Sequence, residues 1–230
     1  MVPHRDLQTA EGDMFLVRKP AGWTSFDVVR KLRGILRVRK VGHAGTLDPM
    51  ATGLLIVCSG AKTRALESYT GLEKEYDALI RLGQRTESFD AASPVIEERS
   101  TAGLTEETIR EAVGEFVGYQ TQLPPMWSAV KVNGRRLYTY ARKGETVERR
   151  PREICIHAID ITSIAVPLLR CTIVCSKGTY IRTLADDLGR RLGCGAHVQE
   201  LTRTRIGPYR LCDALTIDEL AARREARGEP

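Results

Sequence analysis

The residue types that could do chemistry gather first in Gly42-His43-Ala44-Gly45-Thr46-Leu47-Asp48-Pro49-Met50-Ala51-Thr52-Gly53. One carboxylate and one imidazole lie among glycines, between a basic segment and the apolar run Leu54-Leu55-Ile56-Val57-Cys58. Glycine admits positive φ or the close approach of a ligand, and Pro49 moves Asp48 out of the helical region, so the pattern describes an acid held still beside a buried strand. A held carboxylate can serve as nucleophile or general base. Taken alone, Asp-Pro is also a common turn starter.

A second group lies in Ser176-Lys177-Gly178-Thr179-Tyr180-Ile181-Arg182-Thr183-Leu184. Lys177, Tyr180 and Arg182 cluster where a strand hands over to a helix running from Thr179 to Gly193, and exposed amides at such a junction favour an anion. A cation at Arg182 opposes the helix dipole, and a partner carboxylate would explain it. The plainer alternative is a surface arginine paired with Asp186 one turn on. Tyr76 opens a strand candidate, Tyr76 to Leu82, sharing a face with Ala78 and Ile80. Its ring is a core residue by default, yet at the start of a strand it can also stack on a base.

The elements that must position these groups follow from periodicity. Met14 to Val17 reads as a short strand ending in the turn Arg18-Lys19-Pro20-Ala21-Gly22. A helix begins at a Thr24/Asp27 capping box, with Phe26, Val29, Leu32 and Leu36 as its apolar stripe and Arg30, Arg33 and Arg37 on another face. Between Val28 and Lys40 there are six basic residues and no acid, which is either a solvated face or one that meets phosphate. Ala61 to Tyr69 is expected to be a short helix, Gly83 to Pro94 a polar loop, and Thr105 to Val117 a packing helix buried through Ile109, Ala112, Val113, Phe116 and Val117. Ile154 to Ile164 and Leu168 to Cys175 are expected to pair as a hairpin.

From Tyr119 to Glu153 the character changes: Pro124-Pro125, a turn signal at Asn133-Gly134, then a basic run. Lys131, Arg135, Arg136, Arg142, Lys143, Arg149, Arg150 and Arg152 interleave with Trp127, Tyr138 and Tyr140, a mixture suited to phosphates and unpaired bases. A flexible surface excursion of ordinary charge is the alternative.

The chain has 230 residues, 42% hydrophobic and 28% charged, with 35 basic against 29 acidic residues and a formal net charge of +6. That supports one sizeable core and leans toward a polyanionic partner. The six cysteines show no Cys-x-x-Cys spacing and fit free thiols in a reducing cytoplasm. His4, His43, His157 and His197 are too scattered for a metal site. The start Met1-Val2-Pro3-His4-Arg5-Asp6 lacks a signal core, and no run approaches a membrane span.

Four stretches in order resemble the motifs of the TruB family of pseudouridine synthases, over about Phe15 to Tyr209. They are Lys19-Pro20-Ala21-Gly22-Trp23-Thr24-Ser25, the Asp48 loop, Arg81-Leu82-Gly83-Gln84-Arg85-Thr86 with Asp90, and Cys175 to Gly189. The resemblance implies a single catalytic domain over 1–230 with the pseudouridine-synthase fold. That is an α/β (α+β) architecture, a mixed, mostly antiparallel bent sheet flanked by helices, with residues 119–153 as a thumb-like RNA-gripping flap. It implies conversion of the uridine at tRNA position 55, in the T arm, without cofactor or metal. Asp48 is then the nucleophile, Tyr76 the ring that stacks on the target, and Arg182 the partner of Asp48. His43, Tyr180 and Leu201, with Lys19 and Lys177, are expected to bind substrate. The implied partner is tRNA, with no membrane and no required protein partner, and the chain is expected to be a monomer.

Making pseudouridine means cutting C1′ to N1, rotating the uracil and rejoining C1′ to C5, so both fragments stay in one pocket. A carboxylate can attack C6 or C1′ or take the C2′ proton, and the sequence does not choose among these. The target must be flipped out of the folded arm, with Tyr76 stacking on it and His43 propping the vacated stack. Family members commonly continue into a small RNA-binding domain of the PUA type, whereas residues 210–230 offer one helix capped by Thr216 and Glu219 and anchored by Leu215 and Leu220. Weaker tRNA binding is therefore expected. A binding-only RNA module would need the basic surface but not Asp48, Tyr76 and Arg182. A glycoside hydrolase would need a second carboxylate beside the first.

Overall fold

The computed structural model describes residues 12–226; the Met1 to Asp6 stretch, His4 with it, and the last four residues of the tail lie outside them. Strand β1, Met14–Lys19, runs antiparallel to the strand that follows the Asp48 loop. Helix α1, Ser25–Leu36, begins at the expected capping box: Thr24 Oγ1 accepts the Asp27 amide at 3.0 Å and the Asp27 carboxylate accepts the Thr24 amide at 2.9 Å. Its buried face is Val28, Val29, Leu32 and Leu36, but not Phe26, which is 57% exposed. Residues 26, 30, 33 and 37 share one stripe at helical spacing. Phe26 therefore belongs to the arginine face, with the Arg33 guanidinium 5.7 Å from its ring centroid.

Strand β2, Val41–Ala44, and strand β3, Thr52–Ser59, flank the Asp48 loop and pair antiparallel. The segment expected as one helix is instead a 3-10 stretch, Gly60–Ala65, followed by α2, Leu66–Gly71. Strand β4, Lys74–Leu82, buries alternate residues, Tyr76, Ala78 and Ile80 among them, as its pattern predicts. The stretch Gly83 to Pro94 is not all loop: β5, Gln84–Thr86, pairs with β6, Val95–Glu98. The missing signal is apolar alternation, because this hairpin is bound by charge, with Arg85 Nη1 on the Glu97 carboxylate at 3.0 Å.

Helix α3, Glu106–Gly114, buries Ile109, Ala112 and Val113; it ends before Val117, which is 48% exposed. Next come β7, Gly118–Gln122, and a tight hairpin of β8, Lys131–Val132, with β9, Arg135–Arg136. Asn133 and Gly134 take φ of 50° and 78° at its tip, as an Asn-Gly turn requires. Helix α4, Leu137–Ala141, precedes the long antiparallel hairpin of β10, Arg152–Ala165, and β11, Leu168–Cys175, which the sequence anticipates. Helix α5, Ile181–Arg191, starts two residues later than expected, with Tyr180 as its N-cap. Strand β12, Ala196–Ile206, the short β13, Tyr209–Arg210, a 3-10 turn and α6, Ile217–Glu225, complete the chain, and α6 carries the predicted Thr216/Glu219 box.

The chain divides into two compact units, Met1–Glu75 with Thr202–Pro230, and Tyr76–Leu201. The division falls within the residue ranges of β4 and β12. In the first unit the strand order is β1-β3-β12-β4, with β2 added on β3 and β13 on β12. β12 lies parallel to β3, Thr202 opposite Thr52 and Arg203 opposite Gly53, while β1 and β2 are antiparallel to β3, so the sheet is mixed. Period-two alternation sorts its side chains. Phe15, Val17, Leu55 and Val57 pack against α1 and α6, while Leu16, Leu54, Ile56 and Cys58 face the other way with Ile206 and Ala214. In the second unit the order is β12-β4-β11-β10-β7, and α5 buries Ile181, Leu184, Ala185 and Leu188. Among the described residues no helix is long and apolar enough to cross a membrane.

Candidate active site

In the first unit the Asp48 loop is tied down along its length. Gly45 takes φ of +77°, which a side chain would strain, just as the chain leaves β2. The Ser25 hydroxyl, in the first turn of α1, accepts the Leu47 amide at 2.8 Å and lies 3.2 Å from the Leu47 carbonyl, so one side chain holds the residue before Asp48 from both sides. On the other side, the Pro49 carbonyl accepts the Gly22 amide at 2.8 Å and the Lys19 ammonium at 3.2 Å. Lys19 Nζ also donates to the Trp23 and Pro20 carbonyls at 2.6 and 2.9 Å. Asp48 itself is half-buried, and the Asp48 carbonyl accepts the Ala51 amide at 3.1 Å.

Lys19 is fully buried, and burial pushes its ammonium down to a pKa of about 8. The negative charge of Asp48 works against that shift, and the buried guanidinium of Arg203 works with it. Lys19 thus stands in the field of Asp48 while its protons are spent on backbone carbonyls of its own turn and of the loop. His43 is half-buried in β2, opposite Val57.

In the second unit the junction of β11 and α5 carries the other group. Arg182 is 3% exposed, which removes the surface-arginine alternative. Its Nη1 donates to the Ser88 carbonyl at 2.8 Å, its Nη2 to the Trp127 carbonyl at 2.7 Å, and its Nε lies 3.5 Å from Asp90 Oδ2. Asp186 does not serve it: that carboxylate binds Arg85 at 3.1 Å and Arg190 at 2.7 Å. Asp90 is 3% exposed and its other oxygen accepts the Ser88 hydroxyl at 2.5 Å and the Ala92 amide at 3.0 Å. A buried guanidinium with this many fixed acceptors has one orientation.

Tyr180 is fixed beside it, its amide donating to Gln122 Oε1 at 2.7 Å and its carbonyl accepting from Gln122 Nε2 at 3.0 Å. Lys177 is exposed in the turn before α5. Tyr76 is 8% and Leu201 6% exposed, in β4 and β12. The 119–153 segment reaches this junction through the Trp127 carbonyl, and it gathers charge on an aromatic ring: Arg142 and Arg136 lie 5.3 and 5.9 Å from the Tyr138 centroid.

Sequence reasoning assigns no role to Ser25, Asp90, Gln122 or Arg203. For Ser25 the signal is faint, a hydroxyl next to a helix cap. For Asp90 it lies in the third motif, and for Arg203 it is an arginine on the inward side of a strand whose polar residues hide its period.

The family model "TruB family pseudouridylate synthase (N terminal domain)" matches residues 33–181, and "tRNA pseudouridylate synthase B C-terminal domain" matches residues 182–228. A protein of Chlorobium luteolum named tRNA pseudouridine synthase B is 48% identical over 217 residues, spanning 92% of this chain and 75% of the relative. One of Opitutus terrae with the same name is also 48% identical, spanning 91% and 87%. Among solved structures, a chain of a Cbf5-Nop10-Gar1 complex superposes with a TM-score of 0.75 at 30% identity, covering 96% of this chain and 57% of that one. A chain of an H/ACA RNP bound to a substrate RNA containing 2′-deoxyuridine gives 0.71 at 27% identity, covering 96% and 56%. The buried arginine at the start of α5, the pinned Asp-Pro loop and these matches agree, and the chain belongs to the TruB family of pseudouridylate synthases.

Proposed function

We propose that this chain isomerises the uridine at position 55 of tRNA, in the T arm, to pseudouridine. The observation that carries the reading is the Asp48 loop, a half-buried carboxylate between a residue held by Ser25 and one held by Lys19 and Gly22, in a chain 48% identical to relatives named for this activity. Asp48 acts on a nucleotide flipped out of the arm, as nucleophile at C6 or C1′ or by taking the C2′ proton. The bond from N1 to C1′ breaks, the ring turns, C1′ bonds to C5, the C5 proton leaves to solvent and N1 takes a proton. Reactant and product have the same atoms at the same overall oxidation level, so no oxidant or reductant is consumed.

In the same reading Tyr76 stacks on the uracil and Arg182, fixed by Asp90, Ser88 and Trp127, supplies the positive charge that keeps the carboxylate ionised. His43, Tyr180, Leu201 and Lys177 contact the nucleotide, and the basic 119–153 segment grips the backbone. Lys19 takes part through the loop it holds. The chain acts as a monomer in the cytoplasm, where its free cysteines persist. The test is tritium release from tRNA transcribed with 5-tritiated uridine: the proposal expects release with the target uridine present and none when it is replaced by cytidine. Release that survives the replacement refutes the assignment of position 55.

A further inference from the structure

We propose that Arg203 is a positioning residue whose guanidinium clamps both ends of the loop that carries Asp48. This inference rests on the role given to Asp48 above. Arg203 lies on β12, far along the chain from that loop, and is 1% exposed. Its Nη2 donates to the Gly45 carbonyl at 3.0 Å, where the chain leaves β2, and its Nε to the Leu54 carbonyl at 2.8 Å, where the chain has rejoined β3. One planar group thus fixes the distance between the two feet of the loop.

The backbone at the same place allows no slack. Gly53 pairs with Arg203 in the parallel ladder at φ of +108°, and a Cβ there would lie 2.3 Å from the Arg203 carbonyl oxygen. The neighbouring Thr52 and Thr202 hydroxyls share a 2.8 Å hydrogen bond. Ser25 then holds the middle of the loop at Leu47. A strand residue on an inward face is ordinarily aliphatic, because burying a cation costs free energy unless its donors are met. Here the cation is met by two carbonyls at the two feet of the loop, Gly45 and Leu54, and an aliphatic side chain would fill the space without joining them.

Lysine presents one compact ammonium on a flexible stem and does not reproduce the fork. Arg203→Lys therefore keeps the charge and loosens one foot of the loop. A carboxylate displaced by about 1 Å from its reacting atom loses on the order of 100-fold in rate. The experiment measures single-turnover conversion of tRNA, the tRNA dissociation constant and thermal unfolding for the parent, Arg203→Lys, Arg203→Gln and Ser25→Ala. Ser25→Thr, which retains the hydroxyl, is the rescue. Leu220→Ala, which loosens the packing of α6 on α1 away from the loop, is the control for stability alone.

The expected result is a fall of about 10- to 100-fold in the chemical rate for Arg203→Lys and Ser25→Ala, with the tRNA dissociation constant unchanged and activity restored by Ser25→Thr. Leu220→Ala lowers the melting temperature and leaves the rate alone. If Arg203→Lys does not fold, Arg203→Gln and Ser25→Ala carry the test. A folded Arg203 variant that turns over like the parent overturns the clamp. So does a Leu220→Ala enzyme that slows in step with its loss of stability. A parent that converts no uridine overturns the assignment of Asp48, and the clamp with it, which separates the two failures.

Discussion

Replacing Arg182 by methionine removes the cation from a carboxylate that has no other among the described residues. Asp90 keeps the Ser88 hydroxyl and the Ala92 amide, but it is 3% exposed and loses its counter-charge. The carbonyls of Ser88 and Trp127 lose their donors as well. Removing one partner of a buried pair costs about 3–5 kcal/mol, because the other charge stays buried without compensation. At about 2–4 °C per kcal/mol for a chain of this size, the melting temperature falls by roughly 10 °C. Asp90→Asn placed on top of Arg182→Met removes the stranded charge, so the double variant is expected to melt above the single one while remaining inactive. The assay is thermal unfolding of the four corners of this cycle beside single-turnover tritium release. A double variant no more stable than Arg182→Met refutes the electrostatic account of this junction. An Arg182→Met enzyme with undiminished turnover refutes the role assigned to Arg182.

Lys19 has a pKa of about 8 in the folded chain against an ordinary 10.5. Between those values the unfolded chain binds the proton and the folded one does not, so stability rises with pH through that window and the penalty is full below it. Lys19→Met is expected to flatten this part of the stability profile, as followed by chemical denaturation at pH 7 to 10. Gly53→Ala puts a Cβ into the Arg203 backbone at a strained φ and is expected to cost at least about 1–3 kcal/mol, read as a lower denaturation midpoint. Changing Arg136 and Arg142 to glutamine strips the cations from the Tyr138 ring. It is expected to weaken tRNA binding and to reduce the slope of log K against log salt by up to about 2, with turnover at saturating tRNA unchanged.

Much of this was legible in the residues because local rules and the fold agree. The capping boxes at Thr24 and Thr216, the Asn133-Gly134 turn and the buried run of β3 each state their structure in a few adjacent residues. Phe26 misled because an aromatic counts as apolar in a helical pattern, while its place on the wheel put it among arginines. The β5–β6 hairpin and β12 were missed because charge pairs and an inward arginine replace the apolar alternation that marks a strand. At the site, Asp48 and Arg182 stood out by residue type. Their supports did not: a carbonyl of Trp127 or Ser88 has no sequence signature, and Arg182 and Asp90 lie far apart along the chain.

In the proposed mechanism the Asp48 carboxylate performs the reaction. The direct measurement is pseudouridine mapping by carbodiimide-based primer extension on unmodified tRNA treated with the parent or Asp48→Asn, at enzyme in excess over tRNA and with binding measured in parallel. The parent is expected to give the stop one nucleotide 3′ of position 55 that marks pseudouridine there, and Asp48→Asn, which still binds tRNA, to give none. A variant that marks the same position as completely as the parent contradicts that mechanism.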